Sequence, residues 1–201
     1  ITRLIESEEG ATNRFTGLLG YVAVGIALAM SLFHLWAAWD IVPTTTLRFA
    51  HVGFTLVLAF LLYPAWRGVR HRFMPWDWAL IAAGLYVTWY PDPMDIIVGW
   101  LLIALVLEAT RRATGWIMPV VAIAFILYAF FGNHLPAPWT HRGYDAERLI
   151  PHLSVALEGI FGTAVDVSAT LIILFTIYGA ILSNSGAGKY FVDFSFSATG
   201  G

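Results

Sequence analysis

LIPHLSVALEGIFGTAVDVSATLIILFTIYGAILSNSGAG, residues Leu149–Gly188, decides how the chain is read. A polar approach broken by Gly159 and Gly162 carries Glu158 and Asp166. A charge-free run then extends from Val167 to Gly188 and closes in a Gly/Ser/Asn-rich turn. The apolar part is long enough to cross a bilayer, which takes about 20 residues. Acidic residues at the mouth of such a run are costly near lipid and face a cavity, a partner or the wet interface.

Working outward, five further apolar runs precede this one. They are Phe15–Trp39, Phe49–Trp66, Asp77–Tyr90, Asp95–Thr110 and Ala113–Asn133, with the sixth at Val167–Ser183. The third and fourth are short. Pro91-Asp92-Pro93 between them marks a tight hairpin turn. Seven of the nine Trp (Trp36, Trp39, Trp66, Trp76, Trp78, Trp89, Trp116) lie near run ends. Amphipathic rings favour the headgroup level, so this pattern is an aromatic belt. The chain is 59% hydrophobic and only 12% charged, with a mean hydropathy of +0.73. A soluble domain carries about 25% charged residues. The expectation is an all-α, polytopic membrane bundle of about six hydrophobic helices.

Composition also excludes classes. With no Cys, there are no disulfides, thiolate metal sites or Cys nucleophiles. A net charge of −2 without a basic stripe argues against a nucleic-acid partner. His134, His141 and His152 match no metal-ligand spacing, so no metal is expected. Alternate loops carry seven Lys/Arg against three, which places residues 1–14, loop 67–75 and loop 108–114 in the cytoplasm. Loops 40–48, 91–95 and 132–150 then face outside.

Several stretches could carry function. In LEATRR, Glu108 stands three and four residues before Arg111 and Arg112, a spacing for ion pairs on one helix face at a helix end. The same charges could meet an anionic lipid or a coupled domain. The outer loop HRGYD offers His141, Arg142, Tyr144 and Asp145 either as a solvated cover or as a docking surface for an external protein. Glu158, Gly159, Gly162, Asp166, Ser168 and Thr170 form one group of substrate- or ion-binding candidates, since glycine breaks free backbone carbonyls for coordination. Ser185, Gly186 and Gly188 form a second, at an interrupted helix end. SNSGAGK lacks the leading Gly and the Ser/Thr after Lys189 that a phosphate loop needs. His34 and His51, in or beside apolar runs, are read as interhelical hydrogen-bonding groups.

FLLYP (Phe60–Pro64), LEATRR (Leu107–Arg112), FILYAFFG (Phe125–Gly132), HRGYD (His141–Asp145), LEGIFG (Leu157–Gly162), VSAT (Val167–Thr170) and SGAG (Ser185–Gly188) occur in that order. Over residues 48–201 the chain resembles the fused permease of TRAP transporters, of the TAXI type. That family joins a small four-helix subunit to a large twelve-helix, DctM-like transport subunit with an elevator-like moving domain. The resemblance implies a multi-pass protein of a bacterial or archaeal inner membrane, with a cytoplasmic N-terminus and no enzymatic role. It would import a small organic acid from an extracytoplasmic solute-binding protein, driven by Na⁺ or H⁺, with membrane lipids as its surroundings and no cofactor. The implied division is a segment 1–14, a scaffold 15–112 and the start of the transport domain at 113–201, the chain being the N-terminal portion of a longer polypeptide. A stand-alone scaffold subunit and an intramembrane enzyme using Glu158, Asp166 or the outer-loop histidines are the rival readings.

Overall fold

A computed structural model describes residues 17–65, 74–89 and 96–200. Within them the chain is helical and no strand occurs. The N-terminal segment 1–14, with Arg3 and Arg14, lies outside the described residues. So do Arg67, Arg70, Arg72 and the Pro91–Pro93 turn.

The helices are α1 (Leu18–Trp39), α2 (Thr44–Leu62), α3 (Pro75–Trp89), α4 (Ile96–Thr114), α5 (Ile117–Phe131), α6 (Ala146–Ser154), α7 (Thr163–Asn184) and α8 (Ala187–Ala198). Among the described residues, four elements are long and apolar enough to cross a membrane: α1, α2, α5 with its 3₁₀ extension to His134, and α7. Helix α3 is shorter, at 15 residues, and α4 carries Glu108, Arg111 and Arg112 near its end. The expected all-α membrane architecture is therefore observed.

Boundaries follow local chemistry. Pro43 precedes α2, and Tyr63-Pro64 ends it, because proline cannot continue the hydrogen-bond ladder. Helix α2 begins five residues before the apolar run does, so Arg48 is a helical residue rather than a loop charge. Helix α3 opens with Pro75 and Asp77, and Asp77 Oδ2 accepts the Met74 N–H at 2.9 Å, a reciprocal cap. Helix α4 runs through the expected loop at 108–114 and stops at Gly115, whose φ of 89° suits a residue without Cβ. Two helices arise where no apolar run was read: amphipathic α6, which begins in the expected loop 132–150, and α8, which contains Lys189 and Asp193.

The core sits among α2, α3 and α4. Val52, Leu56, Phe60, Ile81, Val87 and Leu102 are buried there, and Phe161 from the link before α7 joins them. Gly99 of α4 lets α6 approach, since a Cβ would come within 2.6 Å of Ile150 and 2.8 Å of Ser154. By contrast α5, α7 and α8 present Phe125, Phe131, Phe175, Ile181 and Phe194 outward. Apolar surface on this scale suits lipid or neighbouring helices as its solvent.

Candidate functional site

Polar side chains gather at two ends of α2, roughly 20 Å apart at 1.5 Å per helical residue. At its C-terminal end, Arg111 forks onto Glu108, with Nε to Oε2 and Nη2 to Oε1 both at 2.7 Å. Arg112 donates Nε to Glu108 Oε1 and Nη1 to Asp77 Oδ1, each at 2.8 Å. Further donations reach the carbonyls of Tyr63 (3.3 Å) and Ala65 (3.0 Å) just past α2. Arg112 also lies over the Phe60 ring and Arg111 over Trp116. Two cations meet two carboxylates, and the Arg112 side chain is only 2% exposed. The cluster clamps the ends of α2, α3 and α4 together. Asp77, its fourth member, was missed in the sequence because it lies 35 residues from Arg112.

At the N-terminal end of α2, the link between α6 and α7 folds back sharply. The Ile160 N–H donates to the Leu153 carbonyl at 2.8 Å, and the Gly162 N–H to Gly159 at 2.9 Å. A Cβ on Gly159 would overlap the carbonyl oxygens of His152 and Leu153, and one on Gly162 would sit 2.8 Å from the Gly159 oxygen. These glycines permit a backbone turn that no larger residue fits. The turn stacks Phe161 on Phe49 at 3.9 Å between ring centroids. It also presents the Phe161 carbonyl to Arg48 Nη1 at 2.7 Å, while Arg48 Nε donates to Asp166 Oδ1 at 3.0 Å.

Helix α7 begins in this frame. Its turn at Ser168–Ile172 is π-helical, a form frequent at functional sites. Thr170 Oγ1 donates to the Asp166 carbonyl at 2.7 Å. Ser168 Oγ lies 3.0 Å from His51 Nε2, and His51 Nδ1 lies 3.0 Å from His34 Nε2. His34 Nδ1 reaches the Met30 carbonyl at 2.7 Å. Both histidines are buried, and their rings meet edge to face.

The structure thus brings Gly159, Gly162, Asp166, Ser168 and Thr170 together and adds Arg48, His34 and His51 to them. Glu158 is exposed and pairs with no cation among the described residues. Ser185, Gly186 and Gly188 are not part of this group. They lie at the α7–α8 turn, about 28 Å along α7 from Asp166. Gly186 adopts φ 74° there, which lets α8 start in a new direction. Arg48 could have been noticed as one cation at the entry of an otherwise uncharged run. Its partner, 118 residues away, could not.

The loop between α5 and α6 is folded onto the end of α5. His141 Nε2–H donates to the Tyr128 carbonyl at 2.9 Å, and its Nδ1 accepts the Gly143 N–H at 3.0 Å. The Tyr128 hydroxyl donates to the Trp139 carbonyl at 2.7 Å, and the Tyr144 N–H to Ala129 at 3.0 Å. His141 is occupied by these bonds, while Arg142, Tyr144 and Asp145 are exposed. A separate apolar cavity of about 810 Å³ is lined by Ile26, Phe49, Gly53, Val57, Leu85 and Trp89. Thr45, Thr46 and Thr88 supply its polar groups among the described residues.

The family model described as "Tripartite ATP-independent periplasmic transporter, DctM component" matches residues 101–201, half of the chain. No curated protein and no solved structure matches. The match begins inside α4 and includes Asp166, Ser168 and Thr170, whereas their partners Arg48, His51 and His34 precede it. The chain belongs to the DctM-component family of tripartite ATP-independent periplasmic transporters and is a transport permease component of the membrane.

Proposed function

We propose that the chain is the membrane permease of a binding-protein-dependent, secondary active importer of small organic acid anions, of the fused TAXI type. In this reading residues 15–112 are a small four-helix scaffold, and 113–201 begin the large transport domain. The observation that carries it is the docking of α7, inside the family match, onto α1 and α2, which precede that match. A small bundle braced against the first helices of the large component is what a fusion requires. The exposed apolar faces of α5 and α7 fit lipid and further transport helices as neighbours.

The residues at the α1–α2–α7 junction, with Glu158 at its rim, are the candidates for the coupling ion, Na⁺ or H⁺, and for the substrate carboxylate. Ser185, Gly186 and Gly188 are a second candidate set at the far end of α7. The proposed placement is a bacterial or archaeal inner membrane with the N-terminus in the cytoplasm. The junction and the loop of His141, Arg142, Tyr144 and Asp145 then face the solute-binding protein.

The test is uptake by the full-length protein in liposomes at graded concentrations of its binding protein. The combined variant Arg142→Glu and Tyr144→Ala is expected to raise the concentration of binding protein needed for half-maximal uptake, leaving the maximum near wild type. An unchanged half-maximal concentration would remove this loop from the docking face.

A further inference from the structure

Four groups stand in line across the α1–α2–α7 junction, and their hydrogens can be placed. The Met30 carbonyl can only accept, so His34 carries hydrogen on Nδ1. In a neutral ring Nε2 is then an acceptor, and His51 Nδ1–H must donate to it. His51 Nε2 in turn accepts from the Ser168 hydroxyl. One backbone carbonyl sets the direction of every bond in the line.

We infer that His34, His51 and Ser168 form a binding site for a single proton, which enters at Ser168 and reverses the line. The arriving proton bonds to the lone pair of His51 Nε2. The Nδ1 hydrogen of His51 passes to His34 Nε2, so His34 becomes the cation and His51 is again neutral. His51 Nε2–H now donates to Ser168 Oγ, whose own hydroxyl hydrogen turns to a new acceptor. Each of the three bonds survives with its donor and acceptor exchanged, except the one to Met30, which keeps its direction. A second proton is refused, because two N–H groups would then face each other across 3.0 Å.

The surroundings suit such a site. Ser168 is half-buried and opens the π-helical turn, whereas Met30 at the other end of the line is buried. Ionisable groups inside membrane helices are rare enough to be functional candidates by default. Arg48, one turn before His51, and Asp166, two residues before Ser168, flank the line and pair with each other at 3.0 Å. Asp77, Glu108, Arg111 and Arg112 on α3 and α4 form the separate cluster at the far end of α2. Tyr21 on α1, Tyr86 on α3 and Tyr178 on α7 are exposed. Proton binding would exchange donor for acceptor at the point where α7 meets the N-terminal helices. Any role in driving uptake rests on the transport reading; the site itself does not.

The experiment is nitrogen NMR of ring-labelled histidine in the full-length protein in liposomes, from about pH 8 to about pH 4, a span around the ordinary histidine range. Signals are assigned by difference against His34→Gln. The expected result is one proton taken up by the pair, with His51 Nε2 changing from acceptor to N–H while His51 Nδ1 loses its hydrogen. Ser168→Ala, which keeps both rings, removes the partner of His51 Nε2 in both states, so it is expected to move the His51 Nε2 signal at both ends of the titration while the His34–His51 bond still reverses. A His51 Nε2 signal that ignores Ser168→Ala would remove Ser168 from the line. Rings that keep their hydrogens unchanged over the whole span, or that both become cationic, would overturn the inference. A failed uptake assay would leave this readout intact.

Discussion

Arg48 Nε lies 3.0 Å from Asp166 Oδ1, joining the first turns of α2 to the first turns of α7 across 118 residues of sequence. The same guanidinium holds the Phe161 carbonyl, so one side chain fixes both the turn before α7 and its first acidic residue. The Arg48 side chain is 12% exposed and that of Asp166 36%, so the pair is partly shielded from water.

Removing either partner leaves the other half-desolvated. Arg48→Met or Asp166→Asn is expected to destabilise the protein by about 1–3 kcal/mol, the penalty of an unmet polar group. The double variant should cost less than the sum of the two. Denaturation of all four proteins in one detergent measures this. Additive losses would show that the pair contributes no coupling.

Arg112 offers a sharper case, because it is buried and serves Glu108, Asp77 and the Tyr63 carbonyl at once. Arg112→Ala should cost about 3–5 kcal/mol, enough to lower the folded yield, since two carboxylates lose a buried cation. Arg112→Lys should recover only part of this, as an ammonium lacks the planar fork. Full recovery by lysine would mean that charge alone matters there.

The glycines separate into two kinds. Gly159→Ala is expected to destabilise by about 1–3 kcal/mol or more, because its Cβ would overlap the backbone of α6. Gly179→Ala and Gly188→Ala have open space around them and lie in helices, where alanine is favoured by about 0.5–1 kcal/mol. Thermal unfolding ranks the three. Equal losses would contradict the close approach at Gly159.

His141 is predicted to act as an internal strut. His141→Ala removes the bonds to Tyr128 and Gly143 and should speed hydrogen exchange at the Gly143 and Tyr144 amides. Unchanged exchange would show that the loop is held elsewhere.

The membrane-helical class was legible because lipid demands long apolar runs, and α1, α5 and α7 carry them nearly end to end. Charge-bounded runs were poorer guides to helix ends. A membrane helix continues through a charge when that charge has a partner, as Arg48 and Arg111 do. Local spacing exposed Glu108 with Arg111 and Arg112, whose contacts lie within one turn. It could not expose Arg48 with Asp166, Arg112 with Asp77, or His51 with Ser168, which only tertiary packing brings together. Gly159 and Gly162 were singled out for ion coordination, and the geometry adds a steric reason that sequence could not supply. Helix α8 was missed because Lys189 and Asp193 interrupt its apolar residues.

The most direct test of the account is uptake of a labelled organic acid by the full-length protein in liposomes with its binding protein, under an imposed Na⁺ or H⁺ gradient. Accumulation that requires one of these gradients and stops when it is collapsed is the predicted result. Accumulation that persists with both gradients collapsed, or no uptake under any gradient, would contradict a gradient-driven permease.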